Sequence, residues 1–192
     1  MKKTIFATLL ILGLPALIQP VQSQNEFKGK YIFSEIGGPG VILSVNFDSR
    51  FKNGERLGLG YRVGAGFGVG EFKAGTADEK YYGYGYGYGY DYAYAYRTRT
   101  YYTIPVGLNY VFGKKHSPNT FEIGAGTTLL TRKVALYHYG YAKPGYLIGH
   151  LQFMYRRVPV NGGFSFRIGL TPIIGTSGDL FPMAAVGFGY IF

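Results

Sequence analysis

The 192-residue chain contains no cysteine and no tryptophan. Without cysteine there is no disulfide and no thiolate metal site, and cysteine says nothing of the redox compartment. Acidic residues are scarce: 10 Asp and Glu stand against 20 Lys and Arg, a formal net charge of +10. Two of the positive charges, Lys2 and Lys3, belong to the amino-terminal segment, which leaves +8 for the rest. The cations form no single run. They fall into small groups, Arg50/Lys52/Arg56, Arg97/Arg99, Lys114/Lys115, Arg132/Lys133 and Arg156/Arg157. A nucleic-acid surface needs a clustered patch or stripe, so no nucleic-acid partner is expected. Small basic groups at strand ends suit anionic lipid head groups instead. After the first 23 residues no stretch stays apolar for about 18 residues, so no helical membrane span is expected.

The composition is rich in 31 Gly, 20 Tyr and 15 Phe, which disfavours helices and suits strands and turns. The length is enough for one domain. The amino-terminal segment has the order of a secretory signal. Lys2-Lys3 is positive, Thr4 to Ile18 is mostly apolar with Gly13 and Pro15 as breaks, and Val21-Gln22-Ser23 places small or modest residues before a cleavage point. The expected division is a signal peptide over 1–23 and a single β-barrel domain over 24–192.

From residue 41 onward the apolar pattern has period two, the mark of strands with two unlike faces. Leu57, Leu59, Tyr61, Val63, Ala65 and Phe67 share one face, against Gly58, Gly60, Arg62, Gly64 and Gly66. Tyr102 to Phe112, Phe121 to Leu129, Leu147 to Tyr155, Phe164 to Leu170 and Val186 to Phe192 alternate in the same way. The second face is Gly, Ser and Thr with an occasional Arg or Glu. Such residues are too small for a solvated surface and suit a crowded barrel interior. The large apolar face then meets lipid, and closure follows because an open sheet edge in lipid leaves backbone groups unpaired.

Val41 to Phe47 adds a seventh strand and Lys28 to Ile36 an eighth, provided Gly37-Gly38-Pro39-Gly40 is a tight turn. An even count is the rule for single-chain bacterial barrels, with both termini periplasmic. Strand 1 has two readings: Tyr31, Phe33 and Glu35 on one side, or Ile32, Ser34 and Ile36. The fold expected is therefore an all-β, eight-stranded antiparallel up-and-down transmembrane barrel. Parity places the Gly37–Gly40 turn, the 70–100 loop, the 131–145 loop and the 173–181 loop outside. The short 49–55, 113–118 and 158–162 turns fall on the periplasmic side.

The ending Val186-Gly187-Phe188-Gly189-Tyr190-Ile191-Phe192, with the segments SEIGGPGVILSVNFDSRF, TIPVGLNYVFGKK, FEIGAG and FSFRIGLTP, resembles the small outer-membrane barrels of the OmpA/OmpX-like kind, in particular a Gly-rich subset. That resemblance implies a barrel in the outer membrane of a Gram-negative bacterium. It also implies an assembly signal at Phe188, Tyr190 and Phe192 that is read by the barrel-assembly machinery, and contact with outer-membrane lipids including lipopolysaccharide. No signature of the membrane acyltransferases or lipid A deacylases is present, and no peptidoglycan-binding domain follows the barrel.

Three sets of residues could carry chemistry. By parity Asp48, Arg50, Arg62, Glu122, His150, Gln152, Arg156 and Arg167 point inward. Buried charges need partners, so they read as an ion-pair network that fills the lumen, or as the lining of a narrow gated ion path. His116, His138 and His150 share no metal-ligand spacing, and no metal or other cofactor is expected. His138 with Ser177 is the one outer pair that could place a base beside a nucleophile. Gly64-Ala65-Gly66-Phe67-Gly68 lies within a strand with no helix after it, so it is no phosphate loop.

The third set is a run of tyrosines at even positions, Tyr82, Tyr84, Tyr86, Tyr88, Tyr90, Tyr92, Tyr94 and Tyr96, alternating with Gly, Ala or Asp. It reads either as a low-complexity loop or as a continuation of strands 3 and 4 past the membrane. In the second case a row of rings offers stacking faces to sugars or aromatic surfaces, with Arg97 and Arg99 at the rim. The function expected is non-enzymatic: a barrel that presents loops to an extracellular ligand or surface and supports the envelope. A periplasm-facing accessory of an export or assembly system, and an outer-leaflet lipid-modifying enzyme, are the alternatives.

Overall fold

The computed structural model describes residues 29–73, 80–81, 93–94, 96–134, 145–176 and 178–192. Eight long strands form the wall: β1 (Lys30–Gly37), β2 (Leu43–Arg50), β3 (Gly58–Lys73), β4 (Tyr96–Gly113), β5 (Asn119–Val134), β6 (Gly145–Arg157), β7 (Gly163–Leu170) and β8 (Ala184–Ile191). Each pairs antiparallel with its neighbours in the chain, and β8 closes on β1, so the protein is an all-β, closed, eight-stranded antiparallel barrel. The last rung of the closure is reciprocal: Lys30 N donates to Phe192 O and Phe192 N to Lys30 O, both at 3.0 Å.

The register explains why the two faces sort. Across β2 and β3, Phe47 lies opposite Val63 and Val45 opposite Ala65, while Asp48 lies opposite Arg62 and Asn46 opposite Gly64. Because the side-chain period is two, a slip by one residue would put Asp48 and Arg62 on the outside with the apolar residues inside. The wall has the reverse of a water-soluble core. Val45 is 55% exposed, Leu108 54% and Leu170 61%, whereas Asp48, Glu35 and Arg167 are 0% exposed.

The end with the β1–β2, β3–β4, β5–β6 and β7–β8 connections is here called upper, and the end with the other three turns lower. Near the lower end the outer face carries rings in contact from strand to strand. Phe112–Phe121 centroids are 6.0 Å apart, Phe121–Tyr155 5.8 Å and Tyr155–Phe166 5.8 Å.

On four points the structure goes further than the sequence. The side of β1 that holds Tyr31, Phe33 and Glu35 faces inward, leaving Ile32 and Ile36 exposed. Gly37–Gly40 does not project from the barrel. It forms a single 3-10 turn over Gly38–Gly40 whose residues are buried. The 70–100 stretch is not wholly a loop, because the β3–β4 ladder runs on to Lys73↔Tyr96 and a short ladder pairs Lys80–Tyr81 with Ala93–Tyr94. Within the expected 173–181 loop, Ile173–Ile174 pairs with both Leu180–Phe181 and β6, and Ile173 is buried. The expected signal peptide, residues 1–23, lies outside the described residues.

Candidate functional site

The polar network in the lumen is built by side chains from seven strands, β1 to β7. All eight residues expected there, Asp48, Arg50, Arg62, Glu122, His150, Gln152, Arg156 and Arg167, are 4% exposed or less. Sequence reasoning missed Glu35, Asn46 and Asn109, which are as deeply buried and join the same network. For Asn46 and Asn109 the signal was present, since both share the parity of their inward neighbours. For Glu35 it was not, because the two sides of β1 are alike in sequence.

The bonds connect three carboxylates to four guanidiniums. Glu35 takes Arg62 Nη2 on Oε2, and Arg167 Nε lies 3.2 Å from its Oε1. Asp48 takes Arg50 Nη2 on one oxygen and Asn109 Nδ2 on the other, with Arg156 Nη1 at 3.4 Å. Glu122 accepts from Arg156 Nη1 at 2.8 Å and Arg167 Nη2 at 3.0 Å. Gln152 Oε1 accepts from Arg62 Nη1 at 3.2 Å and Arg167 Nη2 at 3.0 Å. Asn46 Oδ1 accepts from Arg62 Nε at 3.0 Å. Tyr31 and Phe33 stack at 4.5 Å between these groups, with Arg156 over Tyr31 and Arg62 and Arg167 over Phe33 at 4.7–4.8 Å. The rings give the guanidiniums π-faces where carboxylates run out.

Both ends of this network are shut. At the upper end the Gly38–Gly40 turn drops into the mouth. Thr128 Oγ1 donates to Pro39 O at 2.9 Å and Thr103 Oγ1 to Gly40 O at 3.1 Å. Gly38 has φ 68°, and a Cβ there would come within 2.9 Å of Ala185 Cβ and 3.0 Å of Glu35 Oε2, so only glycine fits. Val41 closes the turn at φ 77°, a conformation costly for a β-branched residue. Its N–H donates to Gly38 O, and Ile42 N reaches Phe67 O. Above the turn Tyr101, Leu130, Ile148 and Ile173 form an apolar cluster.

At the lower end Tyr31, Phe33, Val158 and Ile191 cluster. Arg56 binds the turns together: its guanidinium donates to Val158 O at 2.6 Å, Lys115 O at 2.7 Å and Ser117 O at 2.9 Å. Arg50 and Arg156, each a member of a small basic group in the sequence, are buried in the lumen. Lys114, Lys115 and His116 are exposed on a lower turn.

His150 lies below the turn. Thr128 gives its one hydroxyl proton to Pro39 O, so the 3.3 Å contact with His150 Nδ1 has the ring nitrogen as donor. His150 Nε2 has no hydrogen-bond partner. Among the described residues no group of three or more His, Asp or Glu could hold a metal ion. His138 and Ser177 lie outside the described residues.

Of the tyrosine row, Tyr82, Tyr84, Tyr86, Tyr88, Tyr90 and Tyr92 lie outside the described residues, while Tyr94 and Tyr96 sit in ladders. The backbone leading to them is informative. β2 pairs with β3 only as far as Leu43↔Phe67, and β5 pairs with β4 only from Leu130↔Thr103. Above those points β3 and β4 continue as a two-stranded ribbon, from Val69↔Thr100 to Lys73↔Tyr96. At the point of separation Thr131 Oγ1 stands in for a strand, accepting from Tyr102 N at 2.9 Å. Phe188, Tyr190 and Phe192 are exposed on the outer face of the lower end.

No family model matches the chain, and no curated protein matches it. Among solved structures it is similar to Ail, the attachment invasion locus protein of Yersinia pestis, in complex with the heparin analogue sucrose octasulfate. The identity is 11%, the match covers 85% of this chain and 95% of that one, and the TM-score is 0.36.

Proposed function

We propose that the chain is an OmpA/OmpX-like outer-membrane barrel, matured by removal of residues 1–23, which acts without catalysis as an anchor for a contact element outside the cell. An apolar outer face around a packed polar lumen suits lipid and leaves no room for substrate passage. The observation that carries the contact role is the β3–β4 ribbon, which continues after its pairing with both neighbouring strands has ended. Five residue pairs of it stand clear before the tyrosine-rich stretch begins. Backbone groups at free strand edges and a following row of phenol rings are both contact-forming features.

Removing Gly83 to Ala95 tests this. The shortened protein is expected to keep its heat-modifiable barrel, because the wall ladders lie below the deletion, and to lose binding of whole cells to mucin-like glycans or abiotic surfaces. Normal folding with undiminished binding to all of these surfaces would refute the contact role. The second reading, a periplasm-facing accessory, is favoured by the lower end, where Arg56 fixes the turns and Lys114 and Lys115 stay exposed. Cross-linking in intact cells separates the two by the face on which a protein partner is captured.

A further inference from the structure

The charges inside the barrel do not balance. Among the described residues three carboxylates, Glu35, Asp48 and Glu122, meet four guanidiniums, Arg50, Arg62, Arg156 and Arg167, and all seven are buried. One positive charge is left over even with His150 neutral. Counter-ions in solution cannot supply it freely, because the Gly38–Gly40 turn and its apolar cluster close one end and the Val158 cluster with Arg56 closes the other. Each guanidinium has a carboxylate partner, but a net charge sealed away from water is disfavoured, so a compensating charge should enter with the fold.

The unused donors point to where it enters. Arg156 and Arg167 are direct partners across β6 and β7, an opposition of like charges that is unfavourable by itself. Glu122 joins them, one oxygen to each. That leaves Arg156 Nε and Arg167 Nη1, both buried and without a hydrogen-bond acceptor, while the Tyr31 hydroxyl has Ser165 as its partner. Arg156 and Arg167 are paired in register and share Glu122, so these two donors belong to one layer of the lumen. Buried donors without acceptors are rare in folded proteins and call for a ligand. Two guanidinium donors with one surplus positive charge call for a small monovalent anion.

We infer that the barrel folds around one halide-sized inorganic anion, held by Arg156 and Arg167. The site is independent of the proposed contact role, and the experiment reads purified protein, so either idea can fail without the other.

The protein would be refolded into detergent micelles in chloride, bromide or gluconate at equal ionic strength, gluconate being too large for the lumen. Saturable stabilisation by chloride and bromide over gluconate is expected, with an unfolding temperature higher by at least about 2–4 °C. Crystals grown in bromide should show an anomalous peak between Arg156 and Arg167. Gln152→Glu supplies the internal control. Gln152 Oε1 already accepts from Arg62 and Arg167, so a carboxylate of the same shape fits and brings the count to four against four. This variant is expected to be as stable in gluconate as in chloride and to lose the bromide peak. Should it not fold, Arg167→Lys serves, with the halide concentration for half-maximal stabilisation raised about tenfold for the lost Nη1 donor. Equal stability of the unaltered protein in all three anions overturns the inference. So does an ultraviolet tyrosinate signal at neutral pH that vanishes in Tyr31→Phe, because Tyr31 itself would then carry the compensating charge.

Discussion

Each wall residue faces either an apolar exterior or a closely packed polar lumen, and the two faces fail in different ways. Val106 belongs to the outer set and pairs with Thr127 and Val63. Val106→Arg near the midplane of a bilayer is expected to cost about 2–4 kcal/mol, because the charge cannot be hydrated there. One residue along, Gly107 points inward, and alternation alone makes it the more tolerant position unless the lumen is crowded. The structure shows that crowding: a Cβ at Gly107 would stand 2.8 Å from Ala125 O and 3.3 Å from His150 Nε2. Gly126, opposite it, is tighter still, with Val106 O at 2.2 Å and Gly107 Cα at 2.6 Å from the added atom. Gly126→Ala should therefore destabilise the barrel by about 1–3 kcal/mol through overpacking against backbone. Urea unfolding in lipid vesicles measures both, and a Gly126→Ala protein as stable as the unaltered one would mean the lumen is looser than described.

At the scale of elements, strand length divides the barrel. β3 to β6 have 13–18 residues, whereas β1, β2, β7 and β8 have 8. The tall half ends in the ribbon, and the short half supplies the seam where β8 meets β1. Phe192 has two roles at that seam that one deletion would confuse. Its backbone closes the last rung with Lys30, and its side chain is 44% exposed on the outer face. If the side chain is part of an assembly signal, Phe192→Ala, which keeps the rung, should lower the amount of barrel inserted in the outer membrane and raise periplasmic degradation. The unfolding midpoint of the fraction that does insert should change little. Normal insertion of Phe192→Ala would leave the residue with its backbone role alone. The parity of Val186 to Phe192 was legible in the sequence; the rung was not, because it joins residues at opposite ends of the chain.

For the whole molecule, the question the sequence left between an ion-pair plug and a gated ion path turns on closure at the ends. Arg56 and the Val158 cluster lie at one end and the Gly38–Gly40 turn at the other, with the carboxylate–guanidinium network between. Planar bilayers holding the purified barrel are expected to show no steady conductance. Reproducible unit steps that scale with salt concentration would contradict the sealed lumen and restore the gated path. The turn is the element to examine in that event, since its seat depends on two hydroxyl donors, Thr103 and Thr128.

Sequence alone determined the features that repeat locally. A period of two in residue size and polarity is imposed by the pleat of each strand, so strand positions, the even strand count and the inward set from Asp48 to Arg167 could be read one segment at a time. What the tertiary structure decided depends on how the sheet closes. The side of β1 that faces inward, and with it the entry of Glu35, follows from pairing β1 between β2 and β8. The choice of partners joins residues as far apart as Asp48 and Arg156, 108 positions along the chain. The burial of Gly38–Gly40 depends on hydroxyls from β4 and β5 across the mouth. Alternation says which way a side chain points, but only closure of the barrel brings seven strands to one axis and decides what each side chain finds there.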